Sequence, residues 1–311
     1  MKIRFYLSLL LILGVAGPAR AGWFDSLTDH RIKVVTTTLE LADFVKQVGG
    51  DKVKVQSLSF GKYDLHFFEP RPSHVMKVKK ADILAILGMN ADVWVKALID
   101  ASRNRNIRFG RKGYLDCSVG VKPVQVPTRR IQGDQGDVHP FGNPHYWYDR
   151  ENVKTAIDNI TRKLTEFSPK DQAYFQQNRD SYVKKVEAEF KRLKEMMAPF
   201  KGTYVVGYHR SWVYLANSFD LKVLGNMEPV PGVPPSPAHV ARLIKKMRKE
   251  KVRILLIEPY YYLSVDFVSQ NTGAKVLRVA NYTGGIKGID KYLDNLNDII
   301  TRMVKTLKKS K

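Results

Sequence analysis

Residues Ile83 to Leu87 read Ile-Leu-Ala-Ile-Leu, an apolar run with no polar interruption. A strand that is apolar on both faces is typical of a parallel sheet covered by helices on both sides. Val252 to Ile257 is a second apolar strand in the other half of the chain. The two runs therefore indicate an α/β plan that occurs twice.

The segments around these runs alternate between strand and helix patterns. Ile32 to Thr37 and Val53 to Leu58 are predicted strands, and Leu39 to Val45 between them has apolar residues at helical spacing. This rhythm predicts parallel strands joined by right-handed crossovers. The chain from Thr203 to Leu307 follows the same plan.

A long helical pattern separates the two halves. Ser168-Pro169 is suited to begin a helix, and no glycine or proline follows until Pro199. We predict an α/β fold of two lobes with mostly parallel sheets, joined by one long rigid helix. The predicted segments are a signal peptide at 1–21, an N-terminal lobe at 22–168, the linking helix at 169–199 and a C-terminal lobe at 200–311.

The first residues have the features of a secretory signal peptide. Met-Lys-Ile-Arg is positively charged, Phe5 to Ala16 is apolar, and Ala19-Arg20-Ala21 fits a cleavage site. The apolar run is too short to span a bilayer, so we expect no stable membrane insertion. We expect cleavage after Ala21 and a periplasmic protein. No cysteine lies near that site, so we also expect no lipoprotein anchor.

The single cysteine, Cys117, allows no internal disulfide, and we expect it to be a small buried side chain. The formal net charge is +22. Such an excess is compatible with an anionic partner such as nucleic acid, phospholipid or a cell-envelope polymer. Because the cations are spread along helical faces without a nucleic-acid-binding motif, we expect a mainly solvated surface and no nucleic-acid partner.

His66, His145 and His209 share one sequence context. Each lies in a loop at the carboxyl end of a predicted strand or just before a helix. In open α/β sheets, ligands bind at the carboxyl ends of the strands. If the two lobes face each other, the three imidazoles converge in a cleft and suit a borderline metal ion such as Zn²⁺. Asp149 begins the helix after His145, and it either accepts a histidine ring N–H or caps that helix.

The three stretches resemble those of the cluster A-I solute-binding proteins, the periplasmic zinc and manganese receptors of bacterial ABC importers. The family motif Asp-Pro-His-x-Tyr/Phe-Glu-Pro-x-Pro resembles Asp64 to Pro72, with Leu65 in place of the first proline. The motif Asp/Asn-Pro-His-x-Trp-x-Asp resembles Asn143 to Asp149. A strand that ends in His before an aromatic-rich helix resembles Tyr208 to Leu215. The resemblance extends over essentially the whole mature chain.

The resemblance implies that the three histidines are metal ligands. Family members with His at the third position are generally zinc-type and those with Glu manganese-type, so His209 favours Zn²⁺ over Mn²⁺. The family's usual fourth ligand, an Asp after the last strand, has no match, because that region reads Ala280-Asn281-Tyr282-Thr283-Gly284-Gly285. Water, Glu258 or, as a poor substitute, Asn281 would then complete the shell. The His-rich loop of many zinc members is also absent, and 122–142 offers only His139, Asp134 and Asp137.

The resemblance implies a monomeric receptor, not an enzyme, that passes Zn²⁺ to the permease and ATPase subunits of an inner-membrane ABC transporter. A Mn²⁺ receptor of the same family is one alternative. A zinc-dependent hydrolase is another, because three His with an open position also bind catalytic zinc, and Glu258 or Glu69 would be its general base. A polyanion-binding envelope protein is a third, suggested by the charge.

Overall fold

The computed structural model describes residues 30–128, 139–230 and 232–309. The first half of the chain forms a parallel sheet with the order β2-β1-β3-β4. Its strands are β1 (Ile32–Thr36), β2 (Val53–Ser57), β3 (Ile83–Ile86) and β4 (Tyr114–Asp116). Every residue of β3 is buried, as expected for an apolar strand in the middle of a sheet.

The second half forms a separate parallel sheet with the order β6-β5-β7-β8. Its strands are β5 (Tyr204–Gly207), β6 (Lys222–Asn226), β7 (Ile254–Ile257) and β8 (Lys275–Arg278). Here β7 occupies the position of β3 in the first sheet, and it too is buried along its whole length. The two sheets therefore have the same strand arrangement.

Helices connect the strands in both lobes. In the N-terminal lobe they are α1 (Leu39–Gly49), α2 (Pro72–Lys79), α3 (Val95–Ser102) and α4 (Arg150–Phe167). After the linking helix α5 (Gln172–Met197) follow α6 (Val213–Ser218), α7 (Pro237–Lys249), α8 (Val265–Thr272) and α9 (Tyr292–Lys309). Because each helix carries an apolar stripe, the helices cover the sheet faces and bury the strands.

The linking helix α5 has 26 residues and follows a single 3-10 turn at Pro169–Asp171. At about 1.5 Å per residue it is about 39 Å long. Its buried side chains, such as Val186 and Leu193, belong to one apolar core that includes residues of both lobes. The predicted fold, two α/β lobes with parallel sheets and one long linking helix, is confirmed.

Cys117 is buried, and burial raises the pKa of its thiol. Within the described ranges, no helix combines the length and apolar character needed to cross a bilayer. The exact lobe boundaries stay predictions, and the signal peptide at 1–21, like Asp134 and Asp137, lies outside the described residues.

The two lobes touch where α1 and the loop after β2 meet the loop after β8. Buried Glu40 of α1 accepts the backbone N–H of Thr283, and Asp43 accepts that of Tyr292 at 2.9 Å. Gly61 has a φ of +68°, and a Cβ there would lie 2.5 Å from the Thr283 backbone oxygen. Only glycine suits this close approach of two backbones. These contacts hold the carboxyl ends of both sheets side by side.

Candidate metal centre

His66, His145 and His209 come together between the two lobes. One ligand atom of each lies within 4.8 Å of the others. The ring centroids of His66 are 5.8 Å from His145 and 5.5 Å from His209, and the last two rings are 5.3 Å apart. His145 and His209 are buried and His66 is half-buried. The convergence expected from their loop contexts is therefore present.

The loop after β2 holds His66 by contacts on both sides. The Oδ1 of Asp64 accepts the backbone N–H of His66 at 3.0 Å, and the Nε1 of Trp94 donates to the backbone oxygen of Leu65 at 3.0 Å. The hydroxyl of Tyr261, from the C-terminal lobe, donates to the Oδ2 of Asp64 at 2.5 Å. This last hydrogen bond joins the two lobes directly beside the histidines.

The charge state of Asp64 follows from its surroundings. Burial pushes the pKa of its carboxyl up, but the neighbouring charges of His66 and His209 and the hydrogen bond from Tyr261 outweigh burial, so the pKa is lowered. Asp64 is therefore a carboxylate at neutral pH. It brings negative charge close to the imidazoles while both of its oxygens already accept hydrogen bonds.

His145 precedes a 3-10 turn at Tyr146–Tyr148 and is oriented by Asn143. The Oδ1 of Asn143 lies 3.0 Å from the backbone nitrogen of His145 and 2.9 Å from its ring Nδ1. An amide oxygen only accepts hydrogen bonds, so Nδ1 carries the proton and Nε2 keeps its lone pair. Burial, together with the charges of His209 and His66, puts the pKa of His145 well below its ordinary value. The ring is neutral, as a metal ligand must be.

His209 follows β5 and Tyr208, and its partner is charged. Its Nδ1 donates to the Oε2 of buried Glu228 at 2.8 Å. Burial alone would lower the pKa of His209, but the hydrogen bond to Glu228 and the charge of Asp64 reverse the effect and raise it. The Nδ1 proton again leaves Nε2 as the nitrogen for a metal.

Glu258 and Asn281 lie next to this group and are linked through Ser211. The Oε1 of Glu258 accepts the Ser211 hydroxyl at 2.9 Å, and the Nδ2 of Asn281 donates to the same hydroxyl oxygen at 3.1 Å. The buried Oε2 of Glu258 has no hydrogen-bond partner among the described residues. Burial raises the pKa of Glu258 to about 8, so its carboxyl is mostly neutral at pH 7.

Of the two roles considered for Asp149, it has that of capping the helix that follows His145. Its Oδ1 accepts the backbone N–H of Asn152 at 2.9 Å and caps the start of α4. Asn143, two residues before His145, occupies the ring partner position instead. A short polar side chain just before a helix satisfies the amides that the first turn leaves unpaired.

His139 is a fourth imidazole at the site. Its ring centroid lies 4.8 Å from that of His66, and only 9% of the residue is exposed. Burial and the charges of His66 and His209 lower its pKa to about 3, so this ring is neutral too. From the sequence, His139 was only one of three candidate side chains in 122–142 and was not predicted to be a ligand. Two sequence features could have identified His139: it lies just before the motif Asn143 to Asp149, and Pro140 follows it directly.

Glu228 was missed as well. Its signal was the dipeptide Glu228-Pro229 soon after β6, which repeats Glu258-Pro259 after β7. The complete arrangement is a group of four imidazoles between the lobes, with the carboxyl groups of Asp64, Glu228 and Glu258 beside them. Imidazole nitrogens suit a borderline cation such as Zn²⁺.

The chain is similar to known proteins over most of its length. Residues 34–306 match the protein-family model described as "ZnuA: Zinc-uptake complex component A periplasmic". A metal ABC transporter substrate-binding lipoprotein, SloC of Streptococcus mutans, is 27% identical over 259 residues, which are 80% of each chain. A manganese ABC transporter substrate-binding lipoprotein, scaA of Streptococcus gordonii, is 27% identical over 290 residues, 90% of this chain and 88% of the relative.

A solved structure shares the fold. A crystal structure of a ZnuA deletion mutant with zinc bound superposes with a TM-score of 0.74 at 20% identity, covering 89% of this chain and 98% of that one. At such low identity the likeness supports the architecture alone. The histidine group lies between the two lobes of this architecture.

Proposed function

The chain belongs to the ZnuA family, the substrate-binding proteins of metal ABC transporters, and on this premise we propose that its cargo is Zn²⁺, bound by His66, His145 and His209. Proteins of this family are extracytoplasmic receptors and not enzymes, so the hydrolase alternative is not supported. They work with a membrane permease and an ATPase. We further propose that this receptor is periplasmic and monomeric.

The composition of the histidine group carries the proposal. Three imidazole nitrogens lie within 4.8 Å of one another. Nitrogens bound to one tetrahedral zinc are about 3.3 Å apart, since each Zn–N bond is about 2.0–2.1 Å long, so only a small contraction is needed. Zn²⁺ accepts imidazole readily, whereas Mn²⁺ lies at the weak end of the affinity order and suits carboxylate oxygen. The names of relatives include both metals and do not decide between them.

We propose His139 as the fourth ligand. Its ring is neutral, buried and next to His66, so it meets the requirements for a zinc ligand. Glu258 is less suitable because its carboxyl is mostly protonated, and Asn281 is already bound to Ser211. Water and Glu258 are the alternative donors.

Calorimetric titration of the metal-free mature protein with Zn²⁺ and with Mn²⁺ tests the proposal. We expect one Zn²⁺ per chain, weaker binding of Mn²⁺, and a higher melting temperature with zinc because the ligand binds only the folded state. The exposed His30 provides a control, since His30→Ala should bind zinc like the wild type. Tighter binding of Mn²⁺, or no uptake of zinc, would contradict the assignment of the cargo.

A further inference from the structure

The helix α7 carries an unusual polar face on the C-terminal lobe. Its buried stripe consists of Val240, Leu243, Ile244 and Met247. The charged residues on its exposed positions are all basic, namely Arg242, Lys245, Lys246, Arg248 and Lys249. At about 1.5 Å per residue this cationic face, which spans the eight residues from Arg242 to Lys249, extends over about 12 Å.

The cationic face continues into a cavity of about 410 Å³ beside the end of α7. The charged residues that line the cavity are Arg248, Lys251, Arg253 and Lys275. Backbone hydrogen bonds fix their positions: the backbone N–H of Lys251 donates to the carbonyl oxygen of Arg248, and the backbone N–H of Lys275 donates to that of Arg253. Four cations from the end of α7 and the amino ends of β7 and β8 therefore line one cavity. We refer to these four residues and the exposed cations of α7 together as the basic face.

The basic face has no internal charge compensation. Within the described part of the chain, none of its members forms an ion pair, whereas Lys194 and Arg302 elsewhere on the molecule pair with Asp220 and Asp298. Cations in the last turn of a helix are favourable to the helix dipole, which accounts for Lys246, Arg248 and Lys249. The helix dipole does not account for the remaining cations of the basic face. Like charges four residues apart on a helix, such as Lys245 and Lys249, repel each other. The fold thus keeps a repulsive cluster that an anionic partner would relieve.

The basic face is distant from the metal centre. Arg253 immediately precedes β7 and Lys275 is the first residue of β8, so the cavity lies at the amino ends of these strands. Glu258 and Asn281 lie beyond the carboxyl ends of the same strands, beside the histidines. A strand of four residues is about 13 Å long. A partner on the basic face would therefore not contact the bound metal.

We propose that the basic face binds the phosphate groups of an anionic phospholipid surface and holds the receptor at the membrane that contains its transporter. Clusters of four to eight Lys and Arg on an amphipathic helix are suited to such surfaces. Five cations along about 12 Å of helix, with three more around the cavity, match an array of phosphates better than one small anion. The proposal rests on the family's work with a membrane permease and not on the identity of the cargo.

Sedimentation with vesicles tests the proposal. The full mature protein is mixed with phosphatidylcholine vesicles, or with vesicles that also contain phosphatidylglycerol, at physiological ionic strength. One variant carries Lys245→Gln, Lys246→Gln and Lys249→Gln, and a second carries Arg248→Gln, Lys251→Gln and Lys275→Gln. The matched control removes three exposed charges from the linking helix, with Lys184→Gln, Lys185→Gln and Lys191→Gln.

We expect the wild type to bind only the anionic vesicles, and less strongly at high salt. Either triple variant should lose about a hundredfold in affinity, because each Lys or Arg near such a surface contributes about a fivefold factor. The control should lose much less. All variants should bind Zn²⁺ like the wild type, so failure of vesicle binding would leave the zinc proposal intact.

Three outcomes would overturn the proposal. Absence of binding to anionic vesicles would remove the membrane as the partner. An equal loss in the α5 control would show that net charge alone, and not the basic face, causes the attraction. Binding of soluble tripolyphosphate or heparin without binding of vesicles would assign the face to a soluble polyanion instead.

Discussion

His145 and His209 are both buried histidines of one site, but they belong to different lobes and have different partners. His145 is held by the neutral amide of Asn143 and His209 by the carboxylate of Glu228. Burial lowers the pKa of His145 well below its usual range, whereas the charges around His209 raise its pKa in spite of burial. Both rings are buried, so the difference between their pKa values comes from the charged groups around His209, above all its hydrogen-bond partner Glu228.

The two lobes also hold their histidines by contacts of different range. Asp64 and Asn143 each lie two residues before the histidine whose backbone N–H they bind. Glu228 is 19 residues from His209 and follows another strand. The N-terminal lobe thus orients its ligands locally, and the C-terminal lobe orients its ligand through the packing of the sheet. This difference leads to four predictions.

Loss of a whole ligand should have the largest effect, and it should be equal in the two lobes. We expect His145→Ala and His209→Ala each to weaken Zn²⁺ binding by more than about a hundredfold, since loss of only an outer partner of a metal ligand already costs about 10–100-fold. Competition with a chromophoric chelator measures the change. If one variant kept wild-type affinity, the lobe concerned would supply no ligand.

Removing the charge behind His209 should have the next largest effect. Glu228→Gln keeps an acceptor for Nδ1–H but loses the negative charge, so the imidazole becomes a weaker donor, and zinc affinity should fall about 30-fold. The same competition assay measures it. Glu250→Gln, a half-buried carboxyl at the end of α7, serves as the control and should bind zinc normally. Unchanged affinity in Glu228→Gln would mean that the carboxylate does not strengthen its ligand.

Loss of His139 should lower zinc affinity less than the changes above, because water can replace its nitrogen as a ligand. We expect His139→Ala to lower zinc affinity by about tenfold, at the lower end of the range for partners of a metal site. The absorption spectrum of the Co²⁺-substituted protein should also change, because one nitrogen donor is replaced by oxygen. An unaltered spectrum would assign the fourth position to water or Glu258 in the wild type.

The hydrogen bond between the lobes should have the smallest effect. Tyr261→Phe removes the donor to Asp64, a contribution of about 1 kcal/mol, so Zn²⁺ should dissociate about fivefold faster while association changes little. Stopped-flow release into a chelator measures both rates. Tyr262→Phe is a matched control, because Tyr262 is 77% exposed. Equal rates in the two variants would show that this bond does not hold the lobes closed.

The two-lobed α/β fold and the three candidate histidines could be predicted from the chain alone. Continuous apolar strands such as Ile83–Leu87, helical spacing and proline-stiffened loops are local patterns, and strand ends in a parallel sheet share one edge. The partners of His66 and His145 are local too, although only their motifs, and not their hydrogen bonds, were recognised.

The side chains that complete the site could not be predicted, because they meet through contacts that are distant in sequence. Tyr261 reaches Asp64 across 197 positions, Glu228 reaches His209 from a neighbouring strand end, and His139 comes from a loop without periodicity. Only the first of these contacts joins the two lobes, but all three depend on how separate loops and strand ends pack against each other. No spacing in the chain encodes that packing, because side chains that are distant in sequence meet only after both sheets have formed.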